Sequence, residues 1–208
     1  MTKQLHAYSR LLGSLFGYLL LSNSWFCIAQ NSLPPSKLKY SKITVNTAET
    51  TIKTTIRNKP SKFKAKPNSS YLWYYAQNLI ETNGGYDGKL VHGKYKSFYL
   101  NNQLREEGEY FNGVKSGVWR YWYMDGKLRE IITWKKGIKN GYYALYNDFG
   151  AIMASGNFKN DQLHGCFFTY GVGGKILEKK KYKKGVEQRK NMPLQNKKEE
   201  QQKESASS

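Results

Sequence analysis

Glycine returns every 24 residues through the middle of this chain, at Gly93, Gly117, Gly141 and Gly165. Aromatic residues keep the same step in three further columns. The first is Tyr71, Tyr95, Trp119, Tyr143 and Phe167; the second is Tyr74, Phe98, Trp122, Tyr146 and Tyr170. The third is Tyr86, Tyr110, Trp134, Phe158 and Tyr182, and an aliphatic column runs Ile80, Leu104, Leu128, Ile152 and Ile176. Several columns held in phase mean that one small unit is copied, each copy burying its apolar side against its neighbours. Five units result, at 69–92, 93–116, 117–140, 141–164 and 165–188.

Within a unit the residues are β-branched and aromatic, without a helical period, and turn residues divide each unit into two strands. Asn101-Asn102, Asp125-Gly126 and Gly173-Gly174 mark the turn inside a unit; Asn112-Gly113, Lys136-Gly137 and Lys184-Gly185 mark the return to the next. These residues accept the positive φ of tight hairpin turns. The expected fold is all-β, a single-layer antiparallel meander or solenoid of five hairpin repeats. Taking Asp125-Gly126 as a two-residue loop sets Tyr123 opposite Leu128, Tyr121 opposite Glu130 and Trp119 opposite Ile132. In other units the Ile132 position is Gly84, Gly108 or Gly156, so first-column rings lie opposite glycines, where a flat ring covers bare backbone. A return loop at 136–139 would likewise set Trp134 opposite Gly141, Phe158 opposite Gly165 and Tyr110 opposite Gly117. Alternation along a strand then places the first and third columns on one face. These glycines and rings are structural positions.

The flanks read differently. Residues 1–29 hold Lys3 and Arg10, then an apolar run from Leu11 to Leu21, then Cys27-Ile28-Ala29, with no acidic residue. That order matches a cleaved secretory signal. Its apolar run of about 11 residues is short of the roughly 20 that a spanning helix needs, though an N-terminal anchor is the alternative. Export to the periplasm, cell envelope or exterior is therefore expected. Cys166 would be alone in the mature chain, which excludes an internal disulfide framework. The net charge of +19 divides as +2 over 1–29, +8 over 30–68, +7 over 69–188 and +2 over 189–208. In an exported protein it points to anionic surfaces and not to nucleic acid. Residues 30–68 read as a basic linker in which 42–46 and 51–57 alternate like short strands and cap the 69–92 unit. The lysines of 178–184 suit an edge strand protected from aggregation, and 189–208 reads as a disordered polar tail.

No catalytic constellation emerges. His92 and His164 hold the same repeat position three units apart, roughly 29 Å at two strands per unit, and cannot share a metal. Glu106, Glu107 and Glu109 cluster, but no group suited to dividing acid from base accompanies them. No metal, cofactor or reaction is expected. The second aromatic column is the candidate binding site: Tyr74, Phe98, Trp122, Tyr146 and Tyr170, placed on the face away from the structural rings. The expected cross-strand neighbours are Glu81, Arg105, Arg129, Met153 and Leu177. Rings at ~9.6 Å intervals bordered by Arg105 and Arg129 suit stacking on sugars, an extended peptide or lipid headgroups.

The unit Gly-x-Trp-x-x-Tyr-Trp-Tyr-x-x-Gly-x-Leu, from Gly117 to Leu128 with Asp125 in the turn, followed by Trp134-Lys-Lys-Gly137, resembles the MORN-repeat variant family. In bacteria such arrays are labelled YwqK-type antitoxin-like proteins. The resemblance covers 69–188 and implies a hairpin meander used for scaffolding or membrane attachment, with no shared reaction. Asp161 and Arg189 depart from its glycine pattern. The expectation is a binding or scaffolding module for a protein or envelope polymer. The alternatives are attachment to an anionic membrane surface through the basic linker and the array, and toxin neutralisation.

Overall fold

The computed structural model describes residues 38–59 and 64–188. The proposed signal and tail, and linker residues 30–37 and 60–63, lie outside them. Strands run β1 Tyr40–Asn46, β2 Thr50–Arg57, β3 Ser70–Tyr75, β4 Asn78–Asn83, β5 Lys89–Tyr99, β6 Leu104–Phe111 and β7 Val114–Trp122. They continue as β8 Leu128–Lys135, β9 Ile138–Tyr146, β10 Ile152–Lys159, β11 Gln162–Leu163, β12 Gly165–Tyr170, β13 Ile176–Lys183 and β14 Val186–Glu187. All belong to one open antiparallel sheet of 14 strands, so the all-β meander expected from the period is what forms.

The hairpins inside units two to five close identically. In unit three Gly126 N–H donates to the Tyr123 carbonyl (3.0 Å) and Tyr123 N–H to the Lys127 carbonyl (2.8 Å). The same two bonds recur at Tyr99/Gln103, Asn147/Ala151 and Gly171/Lys175. This is a three-residue loop whose last residue, Gly126, sits at φ +86°, a turn followed by a bulge. The two-residue loop expected from Asp125-Gly126 is thus corrected. Leu128 meets Trp122, not Tyr123. The strands shift by one residue at Arg129, after which Tyr121 meets Glu130 and Trp119 meets Ile132.

The return turns are tighter than expected. Lys136 and Gly137 have φ +55° and +82°, and Lys135 pairs directly with Ile138. Two left-handed residues make a turn whose twist matches that of the strands. The four-residue loop at 136–139 is therefore corrected, and Trp134 meets Lys139 across that turn. The third column does lie opposite glycines, but those of the preceding strand: Tyr110 meets Gly93, Trp134 meets Gly117, Phe158 meets Gly141 and Tyr182 meets Gly165.

The first unit breaks the line. Its turn, Ala76-Gln77, has two residues at positive φ, and Tyr71 meets Thr82, not Gly84. Hairpin β3–β4 joins the sheet where Trp73 and Tyr74 pair with Leu90 and Lys89 at the start of β5, and Leu72 N–H donates to the Gly113 carbonyl of the β6–β7 turn at 2.8 Å. Beyond that point β5 pairs with β2, from Ile56 opposite Val91 to Thr50 opposite Tyr99. The N-terminal hairpin therefore takes the sheet position that the first repeat would have filled, rather than capping it from outside. The displaced hairpin packs on the sheet: Leu72, with Tyr74 and Leu79 beside it, joins Ile56, Val91, Tyr95, Tyr110 and Trp119 in one cluster.

His92 ties the N-terminal hairpin to the array. Its ring stacks on Tyr40 (4.8 Å) and tilts against Phe111 (5.1 Å), while Nδ1 accepts the Asn112 N–H at 3.3 Å. Burial holds its pKa below the usual histidine value; Arg57 and Lys39 act in the same direction, and the Asn112 side chain opposes them in part. A group with a depressed folded-state pKa resists protonation by the folded form. Its contribution is complete above the ordinary value of about 6.5 and declines as pH falls below it. Amide protection factors across the β2–β5 pairing, with the intrinsic pH dependence of exchange divided out, should fall between neutral pH and pH 5 in the native chain, and His92→Phe should flatten that dependence. An unchanged pH dependence in His92→Phe would show that another group drives it.

Candidate functional site

The two faces of the sheet differ sharply. On one, Tyr95 and Trp119 lie 5.5 Å apart, one strand to either side of Gly108, with Tyr110 edge-on to both at 5.3 and 5.0 Å. Glycine is required there because a methyl group at 108 would enter the Trp119 indole. Tyr143 and Phe167 repeat the arrangement around Gly156, stacked at 6.4 Å with Phe158 edge-on to Tyr143. Lysines lie over these rings at the 24-residue step. Lys115 Nζ is 4.2 Å from the Trp119 centroid and donates to the Tyr121 hydroxyl at 3.0 Å; Lys139 lies over Trp134 and Phe158. Burial pushes the Lys115 pKa down and those of Tyr95, Tyr110 and Tyr121 up. Each group is held in its uncharged direction by desolvation, which suits packing.

The opposite face carries the second aromatic column, with two corrections. Tyr74 is not part of the row, because the displaced first hairpin carries it to the packed cluster. The arginines do not border the row either. The three-residue turns make Leu104, Leu128, Ile152 and Ile176 the partners of Phe98, Trp122, Tyr146 and Tyr170. Arg105 and Arg129 fall at the bulges and lie over Tyr99 (5.9 Å) and Tyr121 (5.6 Å), on the packed face. Glu81, the expected neighbour of Tyr74, pairs with Leu72 instead.

Phe98, Trp122, Tyr146 and Tyr170 remain as a row of half-buried rings on alternate strands β5, β7, β9 and β12. Cations unnoticed in the sequence stand beside them. Lys53 lies opposite Lys96, and Lys96 and Arg120 flank Glu107 on either side, in the cross-strand order β2, β5, β6, β7. Lys53 Nζ lies 5.3 Å from the Phe98 ring. Glu107 is 3.4 Å from Lys96 and 3.8 Å from Arg120. Two adjoining depressions, of about 380 and 330 Å³, share Lys94 and Lys96 in their walls. Only the 24-residue alignment of 98, 122, 146 and 170 was available to find this row; Lys53 belongs to no repeat, and nothing local announces it.

A second feature lies at the turn ends. Leu100, Met124 and Phe149 are 61 to 83 % exposed and Val172 is fully exposed, one apolar residue per equivalent turn. Leu100, Met124 and Val172 hold the same turn position at the 24-residue step or its double, a signal visible in the sequence. A tyrosine staple supports these turns: the Tyr99 hydroxyl donates to the Trp122 carbonyl at 2.8 Å, and the Tyr123 hydroxyl to the Tyr146 carbonyl at 2.9 Å. The histidines and carboxylates do not converge. His92 packs among rings, His164 N–H donates to the Asn157 carbonyl, and Glu106 accepts from the Tyr95 hydroxyl. Among the described residues no group of three or more His, Cys, Asp or Glu side chains is placed to hold a metal.

Compared with protein-family models and with curated proteins, the chain matches none.

Proposed function

We propose that this protein is an exported, envelope-associated binding or scaffolding module, without a reaction of its own, that holds a protein or an envelope polymer on the open face of its repeat sheet. The observation that carries this reading is the row Phe98, Trp122, Tyr146 and Tyr170. The structural rings are used up in packing around glycines on the other face, while these four stay half-exposed at even intervals. Half-exposed rings on a rigid sheet offer contact area with little ordering cost. Export rests on the basic, apolar, small-residue order of residues 1–29. The resemblance of 117–137 to MORN-type units supports the scaffolding part.

Trp122→Ala tests it. Trp122 is absent from the buried core, so the melting temperature should move by only a few degrees. Recovery of envelope components on the immobilised full chain should fall by about tenfold, the loss expected for a central aromatic anchor. Equal recovery by the native and Trp122→Ala chains would overturn the reading.

Attachment to an anionic membrane is the second reading, favoured by the apolar turn tips with Lys127 and Lys175 directly beside them. Replacing Leu100, Met124, Phe149 and Val172 with serine should abolish sedimentation with vesicles containing phosphatidylserine at low salt. Undiminished sedimentation of that variant would rule out this mode.

A further inference from the structure

The charge and spacing of the open face narrow its ligand. We propose that the face binds a linear acidic polysaccharide laid across the strands, an inference that rests on the open face being the binding surface. Lys42, Lys53, Lys94, Lys96 and Arg120 are all exposed in the two adjoining depressions, where Glu107 and Glu109 are the carboxylates in the walls. Lys53 and Lys96 stand directly opposite each other on paired strands, an arrangement of like charges that destabilises a sheet by itself. Lys96 shares Glu107 with Arg120, and among the described residues Lys42, Lys53 and Lys94 form no ion pair. A bound anionic group would relieve the repulsion between Lys53 and Lys96.

Spacing selects the polymer. The rings repeat every second strand, ~9.6 Å apart at the usual strand separation. That step is close to the length of a disaccharide, so each ring would meet the apolar face of a sugar in successive disaccharides. Stacked bases follow at ~3.4 Å and do not match it. An extended peptide binds sheets by adding to an edge, whereas the backbone beneath Lys96, Glu107 and Arg120 is already paired on both sides. Lys53 over Phe98 joins the cationic part to the ring row, so one chain of alternating neutral and acidic sugars would satisfy both.

The test is titration of the full chain at low salt with hyaluronan, which carries one carboxylate per disaccharide, with chondroitin sulfate as the sulfated arm. Neutral dextran and an oligothymidylate serve as comparators. Hyaluronan or chondroitin sulfate is expected to bind, dextran not to bind, and the oligothymidylate to bind more weakly than either. Chondroitin sulfate keeps the carboxylate and adds a sulfate, so binding to hyaluronan as tight as to chondroitin sulfate shows that the carboxylate suffices, and tighter binding to chondroitin sulfate shows that the added sulfate contributes. The double variant Lys53→Gln/Lys96→Gln should bind about tenfold more weakly, as should Trp122→Ala. Absence of binding to both acidic polymers by the folded chain would overturn the inference, as would binding unaffected by Lys53→Gln/Lys96→Gln or tighter binding to the oligothymidylate. If Trp122→Ala still lost an envelope component while no acidic polymer bound, the open face would stand as the binding surface and only its ligand class would be wrong.

Discussion

Alanine in place of Gly108 is expected to destabilise the protein by about 3 kcal/mol, at the upper end of what overpacking a core usually costs. The added methyl would sit within the Trp119 ring system, 2.7 Å from Cγ with two other ring atoms closer still. Trp119 has nowhere to go, since it is fully buried between Tyr95 and Tyr110 and covered by Lys115. Gly117 provides the contrast. A methyl there meets nothing within 4 Å, but the residue sits at φ +71°, so Gly117→Ala should lose about 1 kcal/mol to backbone strain alone. Denaturant midpoints of the two variants, with the slope checked for constancy, measure the difference. Equal losses would show that the ring packed over Gly108 costs a methyl group no more than the left-handed backbone at Gly117 does.

Ile56→Ala should cost about 3 kcal/mol, the usual range for truncating a large aliphatic side chain in a core. Ile56 is 2 % exposed and packs with Val91, Tyr95, Tyr110 and Trp119 although it lies outside the repeats. Val186→Ala, at a position 64 % exposed near the other end of the sheet, should change stability by no more than about 0.5 kcal/mol. A large loss at Ile56 would establish that the N-terminal hairpin is built into the core of the array. A loss as small as that at Val186 would return residues 40–57 to the status of a dispensable flank.

The packed face and the open face have opposite consequences for mutation. Positions around Gly108 and Gly156 govern stability, because rings are sandwiched over bare backbone and desolvation holds Lys115 and the tyrosines toward their neutral forms. Trp122, Lys53 and Lys96 are half or fully exposed and contribute little burial, so substitutions there should alter the proposed binding and leave stability nearly unchanged. Alternation of side chains along each strand separates the two faces.

The sequence by itself determined the strand count per unit, the face shared by the first and third ring columns, and the register of Trp119 with Ile132. Period and alternation are local properties that every unit states independently, so an error in one is corrected by the others. It also aligned Phe98, Trp122, Tyr146 and Tyr170. Loop length was a different matter: Asp125-Gly126 and Lys136-Gly137 look alike as dipeptides, yet one closes a three-residue loop with a bulge at Arg129 and the other a two-residue turn. That single residue moved Arg105 and Arg129 to the packed face. The place of the ends was decided only by tertiary structure. β2 and the first repeat compete for the same stretch of β5, and the outcome depends on what each buries there, with Ile56 against Val91 on one side and Leu72 against Tyr95 and Trp119 on the other. Lys53 reached Phe98 through that competition, across a sequence separation no local pattern records.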